Sequence, residues 1–106
     1  MPTYVSLVNW TEQGIKTFPD TIRRAEEFSR FVRGSGGKVD RVLWTLGEYD
    51  LLHVSEFAGD EKALAAFLAL GSVGNVRTRT LRAFTAAEME AIIHQASVRM
   101  EHGSWG

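Results

Sequence analysis

Three residues with usable chemistry crowd into one stretch: Tyr49, Asp50 and His53, inside the run from Val42 to Val54. Imidazole titrates near neutrality, so His53 is the first candidate for a general base, with Tyr49 as the second proton-transfer group. Asp50 beside Tyr49 has the chemistry to grip a ligand or to act as half of an acid/base pair. Its plainer use is to accept hydrogen bonds from turn amides, and that use carries more weight. Side chains alternate across a strand, so His53 shares a side with Tyr49, Leu51 and Ser55 and not with Asp50, unless a bulge intervenes. This parity argues against an Asp50/His53 metal pair. A lone interior histidine more commonly serves as a hydrogen-bonded core or interface group.

Asn75, Arg77 and Arg79 form a second group, suited with the Gly74 amide to a carboxylate or phosphate. The alternative is a solvated ladder in which the arginines pair with Asp50 or Glu56. RNA binding by this face would need stacking aromatics on the central strands, and the arginines have none beside them. Trp10, Trp44, Phe67 and Met89 are candidates to line an apolar pocket between sheet and helices, where they would otherwise be core. The candidate ligand-binding set is therefore Trp10, Trp44, Tyr49, Asp50, His53, Asn75, Arg77 and Arg79. His94 with Glu90 one turn earlier supplies only two ligands, so no metal and no cofactor is expected.

The elements that must position these residues are legible from periodicity. Residues 3–10 alternate as a strand, with Val5, Leu7 and Asn9 on one side and Tyr4, Ser6, Val8 and Trp10 on the other. Both sides carry apolar groups, as in a strand covered twice. Residues 11–18 read as a connector. From Asp20 to Arg33, Ile22, Ala25, Phe28, Phe31 and Val32 recur at helical spacing, and Gly34-Ser35-Gly36-Gly37 ends that helix. A hairpin follows, with strands at 38–46 and 49–57 folded across a tight turn at Gly47. Glu61 to Leu70 reads as a helix apolar nearly all round, which implies cover on more than one side. Val76 to Phe84 alternates as the last strand. Thr85-Ala86-Ala87-Glu88 has capping-box spacing, opening a third helix with a stripe of Met89, Ile92, Ile93 and Ala96. That helix is the candidate cover. Residues 101–106 show no period and are expected to be a mobile tail that Trp105 could anchor.

The order strand, helix, strand, strand, helix, strand defines an α+β class: a ferredoxin-like βαββαβ sandwich with an extra C-terminal helix. At 106 residues the chain fits a single domain spanning 1–106. A formal net charge of −1 offers no excess positive charge for a phosphate backbone, so nucleic acid is not an expected partner. The absence of cysteine removes disulfides and thiol nucleophiles and fits a reducing interior, with cytoplasm as the default. No signal-like start and no apolar run near the ~20 residues of a membrane span is present. A four-stranded sheet with helices on one side leaves its apolar second face to be buried, and a homodimer with stacked sheets is the expected solution.

Trp10-Thr11-Glu12-Gln13-Gly14, Trp44 to Asp50, Leu70 to Thr78 and Thr80 to Thr85, in that order, resemble the GYD domain family, whose namesake letters stand here as Gly47, Tyr49 and Asp50. The resemblance extends to about Ile93. It implies small bacterial or archaeal proteins of unassigned function, with a fold like the dimeric α+β barrels. Some members of that wider group are cofactor-independent oxygenases, isomerases or decarboxylases, and others only bind ligands or effectors. It carries no agreed catalytic residue set. The leading expectation is a cytoplasmic homodimer that binds a small molecule. The alternative is a cofactor-independent monooxygenase or isomerase using His53 or Tyr49, and the third is a structural assembly module.

Overall fold

The computed structural model describes the backbone of residues 1–102 and the side chains of residues 1–98. In chain order the elements are β1 (Thr3–Trp10), α1 (Glu12–Lys16), a 3-10 turn (Phe18–Asp20), α2 (Thr21–Gly34), β2 (Lys38–Trp44), β3 (Leu51–Glu56), α3 (Asp60–Ser72), β4 (Val76–Ala83) and α4 (Ala86–His102). The strands form one antiparallel sheet in the order β2-β3-β1-β4, the ferredoxin-like arrangement. Helical crossovers strongly favour one hand, so the helices joining β1 to β2 and β3 to β4 return over the same face.

Strand periodicity sorts the side chains. Tyr4, Ser6 and Val8 of β1 and Leu51, His53 and Ser55 of β3 are buried beneath the helices. Their core partners are Phe28 and Val32 of α2, Ala63, Ala66 and Phe67 of α3, and Phe57. Phe57 stands edge-on to both Tyr4 and Phe67, at centroid distances of 5.7 and 5.9 Å. The Tyr4 hydroxyl donates to Asp60 Oδ1 at 2.5 Å, fastening β1 to the first turn of α3. Burial foremost, and then the bond to Asp60, raises the Tyr4 pKa above the ordinary tyrosine value.

The hairpin differs from its sequence reading. The strands stop at Trp44 and restart at Leu51, so residues 45–50 form a structured loop in place of a tight turn. Local polar groups outcompete the ladder there: Thr45 Oγ1 donates to the Tyr49 carbonyl at 2.5 Å, and the Thr45 amide to the Asp50 carbonyl at 2.9 Å. Gly47 sits at φ 118°, a conformation that disfavours any residue with a Cβ. The connector contains a short helix, α1, capped by Thr11, whose hydroxyl accepts from the Gly14 amide.

The capping box forms: the Glu88 amide donates to Thr85 Oγ1 at 3.2 Å and the Thr85 amide to Glu88 Oε1 at 2.9 Å. The helix it opens is not the expected cover. Among the described residues α4 makes at most marginal contact with the other elements, and Met89 and Ile93 stay exposed. Leu64 and Leu68 on the outer side of α3 are exposed as well, so among the described residues that helix is covered on one side only. The radius of gyration is 17.1 Å, against about 13 Å for a compact chain of this length. A 17-residue helix standing off the body accounts for the difference. It includes Glu101 and His102; the rest of the expected tail, residues 103–106, lies outside the described residues.

Candidate functional site

Between the covered face of the sheet and α2 and α3 lies a cleft of about 480 Å³, within the range of small-molecule sites. Val8, Trp10, Leu51 and His53 form its floor, and Phe28 and Phe67 close over them. Period-2 alternation puts the four floor residues on one side of β1 and β3, while helical spacing brings Phe28 down from α2. Phe28 meets the His53 ring edge-on at 5.1 Å between centroids and the Phe67 ring at 5.4 Å.

His53 is 3% exposed, and neither of its ring nitrogens has a hydrogen-bond partner among the described residues. Trp10 Nε1 is likewise buried and unpartnered. Each such group forfeits roughly 1–3 kcal/mol relative to a satisfied one. Burial, reinforced by the nearby positive charge of Arg33, lowers the His53 pKa to about 4. At neutral pH the imidazole is therefore uncharged, with one N–H donor and one lone-pair acceptor.

The mouth is polar and already internally paired. Arg23 bridges Asp20 and Glu27 at 3.5 and 3.0 Å. Arg24 donates to Thr17 Oγ1 and the Gly14 carbonyl at 2.8 and 3.1 Å. At one end, Asn75 Oδ1 accepts from Gln13 Nε2 at 2.9 Å and its carbonyl from the Thr11 amide at 3.0 Å. Gly14 permits this closeness, since a Cβ there would lie 1.9 Å from the Asn75 carbonyl oxygen.

The candidate residues from the sequence thus divide. Trp10, His53 and Asn75 line the cleft, as does Phe67. Trp44 stands beside it, its indole donating to Thr21 Oγ1 at 3.0 Å, and Thr21 lines the mouth. Asp50 is a fastener: Oδ2 accepts the Trp10 amide at 2.9 Å, and the Asp50 amide donates to the Val8 carbonyl at 2.9 Å. Tyr49 sits in the hairpin loop outside the cleft, and Met89 on α4 is exposed away from it. Arg77 and Arg79 lie on the opposite face of the sheet, across from Asn9 and Leu7. Because β1 separates β4 from β3, the arginine ladder to Asp50 or Glu56 has no neighbouring strand to form on. Phe28, read from sequence only as core stripe, is the cleft residue whose contact with His53 went unforeseen; the parity shared by Val8, Leu51 and His53 was the available signal.

The open face reads in rows. Leu81, Val5 and Val54 run across β4, β1 and β3, and Leu7, Leu52 and Leu43 across β1, β3 and β2. Arg41, Arg77 and Arg79 sit at the edges of this aliphatic patch. The stacking aromatics of an RNA platform do not occupy these rows. Among the described residues no group of three His, Asp or Glu is placed to hold a metal, and no helix is long and apolar enough to cross a membrane.

A ferredoxin-like sheet with a lined cleft on one face and an aliphatic patch on the other defines a small α+β protein. Residues 4–93 match the GYD domain family, and the chain belongs to it. It is also 33% identical over 92 residues to a Thermus thermophilus protein named glutamine synthetase and cystathionine beta-lyase binding protein, covering 86% of this chain and 97% of that relative.

Proposed function

We propose that this chain is a small binding protein that works as a homodimer, sheet against sheet, and holds a small molecule in the cleft above His53. The observation that carries the ligand reading is the buried imidazole with two unpartnered nitrogens in an aromatic-walled cleft. A buried polar group without a partner in the protein asks for one, and a bound water or a ligand supplies it. The aliphatic rows of the open face and the stripe of α4 support self-association, because exposing a contiguous apolar face is unfavourable. The relative's name places that protein among binding proteins and supports binding over turnover here. Turnover draws less support. A base with a pKa of about 4 is poorly matched to proton abstraction near neutrality, and Tyr49 does not reach the cleft.

A second reading takes the relative's name literally and makes this chain a partner of other proteins, with exposed Leu64 and Leu68 of α3 as the contact. A crystal structure of the protein as purified, together with sedimentation velocity at micromolar concentration, tests the first reading. The expected result is a dimer with organic density in the cleft. A monomer, or a cleft holding only ordered water on His53, would overturn it.

A further inference from the structure

The charged groups that line the cleft are Arg23, Arg24 and Glu27, all on α2. Their fates differ. Arg23 pairs with both Asp20 and Glu27, so those two carboxylates are taken. Arg24 meets only neutral oxygens, Thr17 Oγ1 at 2.8 Å and the Gly14 carbonyl at 3.1 Å. Among the described residues no carboxylate stands within ion-pair distance of it. A guanidinium has five N–H donors and always carries its charge, so this half-buried group keeps both spare donors and an unbalanced charge.

Helical spacing turns Arg24 towards the cleft. Thr21, Arg24, Phe28 and Phe31 follow at steps of three and four residues, share one face of α2, and all line the cleft. The Gly14 carbonyl that holds the guanidinium belongs to the residue pressed against the Asn75 backbone. Asn75 lines the cleft with Trp10 and Val76, which pair across β1 and β4. The cation therefore stands at that end. Away from it the lining is apolar, with Val8 and Leu51 in the floor and the Phe28 and Phe67 rings above. Arg33, whose charge reaches His53, is exposed in the last turn of α2 and does not line the cleft.

One fixed cation beside an apolar hollow suits one anion with an apolar body. A carboxylate matches the guanidinium fork and can accept from two of its N–H groups at once. Resting on the ligand-binding reading above, we infer that the cleft takes an amphiphilic monocarboxylate. Its head meets the Arg24 guanidinium at the Asn75 end, and its alkyl or aryl-alkyl body lies between the floor of Val8 and Leu51 and the rings of Phe28 and Phe67.

Calorimetric titration of the full chain with decanoate and 4-phenylbutyrate, each against its primary amide, tests this, with acetate as a head lacking a body. Each carboxylate is expected to bind about tenfold or more tightly than its amide, and acetate to give no measurable binding. Arg24→Gln is expected to erase the preference for carboxylate while leaving amide affinity within about twofold. Arg24→Lys, which keeps the charge but not the fork, is expected to retain part of the preference. Arg33→Gln is expected to leave it intact. Should the amides bind as well as the carboxylates, acetate bind as well as decanoate, or the preference vanish in Arg33→Gln and survive in Arg24→Gln, the ligand class or its placement is wrong while the cleft remains a binding site. If no probe binds or raises the melting temperature, the inference fails, and the ligand reading fails with it if the as-purified crystals also show only water.

Discussion

The two faces of the sheet are built from the same strands, yet they have been solved differently. Beneath the helices, Ser6 and Ser55 are fully buried and His53 nearly so, and the aromatic cluster of Tyr4, Phe28, Phe57 and Phe67 closes around them. On the other face Val5, Leu7, Leu52 and Val54 are half-buried by their neighbours alone, and Leu43 and Leu81 are exposed. The covered face spends burial on polar groups, and the open one leaves aliphatic groups in water. Each is costly in an isolated chain. A ligand under the helices and a second copy on the open side would relieve the two together, and for that reason the binding and dimer readings belong to one proposal.

Substitutions can break or sharpen that contrast. Phe57→Ala, at a site with no exposure, should cost about 3–5 kcal/mol, read as a lowered urea midpoint at unchanged slope. Acid should act on the covered face through His53. Its folded pKa of about 4 lies below the unfolded value, so the folded state binds fewer protons between pH 6.5 and 4 and stability falls as pH drops through that window. The full effect is about 3 kcal/mol. Urea melts at pH 7 and pH 4 measure it, and His53→Phe should flatten the difference. Gly14→Ala drives a methyl into the Asn75 carbonyl and should cost about 1–3 kcal/mol, seen as a lower melting temperature by circular dichroism.

Thr85→Ala removes the cap of α4 and should cost about 1 kcal/mol of helix stability, read as faster amide exchange in its first turn. The smallest effect belongs to the open face. Leu81→Ala should change the stability of dilute protein by within about 0.5 kcal/mol. At concentrations where copies associate, the same change should weaken the dimer, so its apparent cost should grow with concentration. A cost independent of concentration would argue that Leu81 faces nothing but solvent.

Much of this was legible in the sequence because the signals are local. Alternation put Tyr4, Ser6 and Val8 on one side of β1 and His53 with Leu51 and Ser55 on one side of β3, and the Thr85–Glu88 spacing placed the start of α4. The hairpin was misjudged where side-chain oxygens compete with the ladder: Thr45 and Asp50 hold a loop that residue preferences alone read as strand. The fate of α4 was out of reach for another reason. Its stripe states that the helix needs cover but not which surface supplies it. Asp50 likewise offers a carboxylate to any nearby donor, and only the meeting of the hairpin loop with the end of β1 made the Trp10 amide its partner.

By itself the sequence determined the order of the four strands and the three longer helices and the alternation within each strand, since these follow from steric periods of two and 3.6 residues. Tertiary structure decided which face the helices cover, and with it which groups lose water without gaining a partner. That choice rests on how the crossovers return over the sheet and on contacts between residues distant in the chain, such as Phe28 against His53 and Gly14 against Asn75. No local pattern encodes such contacts, and they turn a run of apolar residues into a cleft with an uncharged imidazole in its floor.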